Sequence, residues 1–275
     1  MNIFYLPRIP APAPPSAPLS SVFSESIISP SLTYYINQLT NGQEDRVEKE
    51  KEIPETKYSL SSKLFFELVE IFHLLNLESY FHPSPAQSYH IGYFLPDYSD
   101  TIFFFQWMKN KRLALDSSPS ASGKTDHSIA NDHHWVNEIP TTPCLHYLFF
   151  EFGACTSLSL PELVVATQSK GGMGVFKLDN VITTQKIRIL FWLVKSYQQV
   201  IWIKPSISHP TTRFWIAKNY LANSPPQPLL NQPIPLFFLN KIEEINNILG
   251  QELLETRRIK SKIDLTLWCE RFRIK

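Results

Sequence analysis

The chain has little cysteine, almost no net charge and no stretch fit for a signal peptide or a membrane helix, and each shortage removes a class of protein. Three cysteines, Cys144, Cys155 and Cys269, show neither CxxC spacing nor an even count. That argues against a disulfide framework or a zinc site and for a reducing compartment. A formal net charge of +1 leaves no uniformly basic coat, so any nucleic-acid contact has to come from a local patch. Six prolines fall within the first 18 residues, which neither a signal peptide nor a membrane span accommodates. A cytoplasmic protein without a membrane partner is expected. The glycine-flanked nucleophile elbow of a Ser-His-Asp hydrolase is missing, and Ala121-Ser-Gly-Lys124-Thr125 lacks the first glycine of a phosphate loop. His127, Asp132, His133 and His134 have no cysteine among them and no helical His-x-x-x-His spacing, so an exposed polar loop is expected there and no metal.

What the chain does have is apolar content, 43% hydrophobic and 13% aromatic over 275 residues. That suffices for one substantial α/β core with extra segments, two small domains remaining an alternative. Residues 1–57 read as a disordered leader: Pro7 to Pro18 is a proline and alanine tract and Glu44 to Glu55 a mixed-charge run, with a docking peptide for a partner protein as the sharper reading. The main domain is expected over 58–222, interrupted by a serine-rich disordered loop near 116–131. A helix is predicted over Ser59 to Leu77, where Leu64, Phe65, Leu68, Val69, Phe72 and Leu75 make one apolar face. Leu145 to Phe152 reads as an apolar strand. A glycine turn at Gly171-Gly172 leads into the strand Val175 to Leu178, the helix Gln185 to Tyr197 and the strand Val200 to Ile203, stopped by Pro205. Strand, helix, strand at these lengths is a βαβ unit with parallel strands. Residues 223–275 are expected to be a helical extension. It holds a helix from Leu236 to Leu254 and a basic end, Thr256 to Lys275, in which seven Lys or Arg face only Asp264 and Glu270. That end suits RNA or an acidic partner, or is a solvated helix face.

Gly171-Gly172-Met-Gly-Val-Phe-Lys177-Leu, with Lys204-Pro-Ser-Ile-Ser-His-Pro210 following 27 residues after the first lysine, resembles the last third of an FtsJ/RrmJ-type RNA ribose 2′-O-methyltransferase. The branch it resembles includes viral and eukaryotic mRNA cap methyltransferases. The likeness continues into Phe214-Trp-Ile-Ala-Lys218, where that family has a further strand, and into Ser62-Lys-Leu-Phe-Phe-Glu-Leu-Val-Glu-Ile71, which aligns with its opening helix. It covers about residues 59 to 222, with specific motifs in 168 to 220. The resemblance implies a Rossmann-like S-adenosylmethionine methyltransferase fold with a mostly parallel sheet, and a viral source with the host cytoplasm as location.

Residue by residue, the resemblance implies that Lys177 is the catalytic lysine. The family's first lysine falls on Glu67, its strand-end aspartate on Phe152 or, after a one-residue slip, on Glu151, and its final glutamate nearest to Arg213. An ion pair between Glu67 and Lys177, opposing base catalysis, is expected. The donor-binding turn falls on Pro96, Asp97 and Tyr98, without the family's glycines. Lys204, His209, Arg213 and Lys218, interleaved with Trp202 and Trp215, are the expected RNA contacts. The implied activity is therefore a cap methyltransferase fold with impaired catalysis, binding RNA or acting as a scaffold and needing no cofactor. The alternative is an active S-adenosylmethionine-dependent enzyme on capped mRNA.

Overall fold

The structure is a computed structural model, and it describes residues 2–9, 34, 63–77, 89–94, 102, 104–108, 133–136, 142–152, 159–178, 184–208, 212–222, 234–258 and 270–272. The chain order is β1 (Asn2–Tyr5), α1 (Lys63–Leu74), β2 (Tyr89–Phe94), β3 (His133–Val136), β4 (Leu145–Glu151), α2 (Leu160–Thr167), β5 (Gln168–Leu178), α3 (Thr184–Ser196), β6 (Tyr197–Lys204), β7 (Arg213–Tyr220) and α4 (Leu236–Arg258).

All seven strands join one sheet in the order β1-β6-β7-β5-β4-β2-β3. The ladders β3–β2, β2–β4 and β4–β5 are parallel, whereas β5–β7, β7–β6 and β6–β1 are antiparallel. The sheet is thus mixed, where a mostly parallel one was expected. The reversal arises because the chain turns back after Lys204 and β7 inserts between β5 and β6, after which β1 adds antiparallel to the far edge. The first residues of the expected leader are therefore part of the sheet: Asn2 pairs with Lys204 and Tyr5 with Ile201.

Side-chain alternation along each strand divides the core into two faces. One face carries Leu148, Phe150, Phe176, Trp202 and Trp215 under α2, α3 and α4. The other carries Phe149, Val175, Ile203 and Phe214 under α1, Phe104, Phe105, Trp107 and Phe272. Helix α1 is buried almost all round because it lies between the sheet and that aromatic cover, and Asn76 in the left-handed region (φ 49°) stops it. At the start of α2 the Glu162 carboxylate accepts from the Ser159 N–H and hydroxyl at 2.9 and 2.8 Å, the sign of a capping box. The expected glycine turn is a bulge inside β5. Leu145 pairs with Gln168 and Tyr147 with Met173, so the extra residues are taken up at Gly171, whose φ of 83° favours glycine. Among the described residues no helix is long and apolar enough to cross a membrane. The loop expected near 116–131 and most of the leader lie outside the described residues.

Candidate functional site

The carboxyl ends of β4 and β5 bring two opposite charges together. These strands run parallel in register from Tyr147↔Met173 to Glu151↔Lys177, so Glu151 and Lys177 project to the same face. Lys177 Nζ lies 3.2 Å from Glu151 Oε1, with the side chains 22% and 26% exposed. Alternation with Val175 and Phe149 sets the pair on the α1 face, at the strand-end edge where open α/β sheets receive ligands. Phe152, the next residue, projects to the opposite face of the sheet. Its N–H donates to the Lys177 carbonyl at 3.0 Å, while its ring meets Phe150 and Trp215 edge-on at 5.5 Å, on the α3 side, with Lys186 Nζ 5.9 Å above it.

The partner of Lys177 is therefore Glu151, where Glu67 was expected. Glu67 sits inside α1 at 2% exposure. Glu70, three residues on, is equally buried and reaches the turn after β6. Its carboxylate accepts from the Ser206 N–H (2.8 Å), the Ser206 hydroxyl (3.0 Å) and the Ile207 N–H (3.4 Å). Successive backbone N–H groups around an anion make a small nest, here filled by the protein's own side chain.

On the opposite face of the sheet, Lys204 ends β6 and Arg213 begins β7. Beyond the register pair Ile203↔Phe214 they are the next facing residues, and they are only 6% and 3% exposed. Lys204 Nζ lies 3.4 Å from Glu252 Oε1 of α4, and the other oxygen of that carboxylate accepts from Asn2 Nδ2 at 2.8 Å. Arg213 Nη1 donates to the Thr212 carbonyl at 3.0 Å. Burial lowers the Lys204 pKa, with the charge of Glu252 opposing and that of Arg213 adding to the shift. Burial likewise pushes Arg213 down to about 10 against the pull of Glu252.

Among the described residues the expected RNA contacts are thus not gathered on one exposed patch. Lys204 and Arg213 meet, but beneath α4. Lys218 is buried at 7% and pairs in register with Gln199 near the start of β6. It lies five residues along β7 from Arg213, about 17 Å away at strand rise, and burial lowers its pKa too. Trp202 and Trp215 are wholly buried and meet edge-on at 6.0 Å, so they are core aromatics. His209, Pro96, Asp97 and Tyr98 lie outside the described residues, as do His127 and Asp132. The residues expected to form a donor-binding turn are therefore among those not described. Among the described residues no group of three His, Cys, Asp or Glu side chains could hold a metal ion.

Sequence reasoning missed Glu70, Glu252 and Asn2, and left the choice between Phe152 and Glu151 open. One signal pointed to Glu151: it shares parity with Tyr147 and Phe149 on β4, as Lys177 does with Val175 on β5, so in-register parallel pairing makes the two charges neighbours. No protein-family model matches the chain, and no curated protein matches it.

Proposed function

We propose that the chain is a divergent FtsJ-like methyltransferase-fold protein that has largely lost catalysis and serves as an RNA-binding or scaffold subunit in RNA capping or processing. The strand order supports this reading. Its parallel part fits the fold that the resemblance implies: β2, β4 and β5 are parallel neighbours, and α2 and α3 follow β4 and β5 on one face. The observation that carries the impaired-catalysis part is the Lys177–Glu151 ion pair at 3.2 Å. The charge set beside Lys177 is a carboxylate, where the family sets a second lysine. The other family positions do not help it. Glu67 is a buried acid in α1, and Arg213, by its alternation with Phe214, belongs to the α4 side.

The second reading is an active S-adenosylmethionine-dependent cap ribose 2′-O-methyltransferase. It is favoured by the same pair, since Glu151 stands beside Lys177 at a strand end where the family carries an aspartate. Calorimetric titration with S-adenosylmethionine and S-adenosylhomocysteine, run beside a capped RNA oligonucleotide, separates the two. RNA binding without donor binding is the expected result. Donor binding at micromolar affinity, with methyl transfer abolished by Lys177→Ala, would overturn the impaired reading.

A further inference from the structure

Strands β3, β2 and β4 are consecutive parallel neighbours at one end of the sheet, and a histidine falls at the same level on each. His90 of β2 is the register partner of His134 of β3. Ile91 is the partner of Tyr147, so one step earlier His90 faces His146 of β4. The His90 and His146 ring centroids accordingly lie 6.1 Å apart, with planes inclined by 16°. Both residues are partly buried. Alternation with Ile91 and Tyr147, which pack on the α1 face, puts these two rings on the other face, that of Leu148 and Phe150.

The spacing and the chemistry of this pair suit a metal ion. Two imidazoles that share an ion through bonds of about 2.1 Å have centroids about 5–6 Å apart, so the observed spacing needs only a small tilt of the side chains. The backbone N–H of His90 donates to His146 Nδ1 at 3.3 Å. In the neutral ring this puts the proton on Nε2 and turns the Nδ1 lone pair towards β2, the middle strand of the three. An ion bound there takes that lone pair in place of a long hydrogen bond. Burial first, and the charge of His90 second, hold the His146 pKa below 6.5, which keeps the ring in the neutral, ligating form at neutral pH. Two rings fall one short of the three protein ligands of an open zinc site, and β3 carries the next histidine of the row.

We infer that His90, His146 and His134 bind one divalent transition-metal ion of the zinc class across three neighbouring strands. Imidazole donors without a thiolate select such an ion over magnesium or calcium, and the fourth position is left for water. The ion ties the four-residue edge strand β3 to the body of the sheet. It stands apart from Lys177, because Glu151 is five residues beyond His146 on β4, about 17 Å at strand rise, and it does not depend on the RNA reading. Ligands from three strands leave no His-x-x-x-His spacing, which belongs to two ligands on one helix, so the sequence gives no local sign of them.

The test uses the full chain without a histidine tag, stripped with a chelator, titrated with Zn²⁺ by calorimetry and followed by its thermal midpoint. One ion per chain at micromolar affinity or tighter, with a raised midpoint, is the expected result. His90→Gln and His134→Gln are each expected to weaken Zn²⁺ by at least about tenfold. No uptake by the wild type, or unchanged affinity in both variants, overturns the inference. Weakening in only one of the two overturns the three-strand row. If a variant does not fold, carbethoxylation of the wild type decides in its place. Zn²⁺ is expected to protect His90, His134 and His146 from diethyl pyrocarbonate, and equal modification with and without the ion overturns the site.

Discussion

Lys177 and Lys204 close two strands that run in the same direction, β5 and β6, and both make an ion pair with a glutamate, yet they live in different surroundings. Lys177 meets Glu151 across a parallel ladder and keeps 22% of its side chain exposed. Lys204 meets Glu252 from a helix and keeps 7%. The difference is parity. Lys177 projects to the α1 face at its open edge, and Lys204 to the face that α4 covers. A strand-end lysine is therefore not by itself a surface group. Which face it takes, and what the rest of the chain lays over that face, decides whether it can meet a ligand.

The sharpest way to break this comparison is to ask whether the aromatic beside Lys204 serves the core or a ligand. Trp202→Ala removes a fully buried side chain and is expected to cost about 3–5 kcal/mol by urea denaturation. A folded variant of unchanged stability with weakened RNA binding would refute its place in the core. Glu70→Ala comes next. It withdraws one carboxylate from three donors in the turn after β6, and a loss of about 2–3 kcal/mol is expected. A loss no larger than that of an exposed substitution would mean that the turn holds itself.

The two lysines can then be compared directly. Lys204→Ala breaks a pair whose lysine is buried and should cost about 2 kcal/mol, against about 0.2–1 kcal/mol for Lys177→Ala, whose pair is half-buried on both sides. Equal losses would erase the distinction drawn between the two sites. The smallest effect is a pH dependence far from both lysines, where the His90 and His146 rings stack at 6.1 Å and the backbone N–H of His90 donates to His146 Nδ1 at 3.3 Å. Burial first, and the charge of His90 second, hold His146 below the ordinary 6.5. The unfolded chain therefore takes up this proton before the folded one does. The stabilising contribution is complete above about pH 6.5 and is lost as the pH falls through the lower folded-state value. The urea midpoint should drop between pH 7.5 and pH 5, and His146→Gln should flatten that slope; an unaltered slope would remove His146 as its source.

Much of the fold was legible from local pattern. The periodicity of Leu64 to Leu75, the apolar run after Leu145, and the strand–helix–strand order from Val175 to Ile203 all correspond to observed elements. Those signals sit within one helix turn or one strand and need no partner to be read. The site was legible in part. Lys177 and Lys204 were found as strand-end lysines, but the Gly171 bulge, which sets the register of β5 on β4, carries no local sign beyond its glycines. Without that register the choice between Glu151 and Phe152 stayed open, because a slip of one residue exchanges the two faces.

By itself, then, the sequence determined the elements, their order and the residues that end the strands, since backbone propensity and side-chain period act over a few neighbouring residues. The tertiary structure alone decided the insertion of β7, the burial of Lys204 and Arg213, and the meeting of each charge with its counter-charge. Such pairings join residues far apart in the chain, Asn2 with Glu252 over a separation of 250 and Glu70 with Ser206 over 136. Only the packing of α1 and α4 against opposite faces of one sheet brings them within hydrogen-bonding distance.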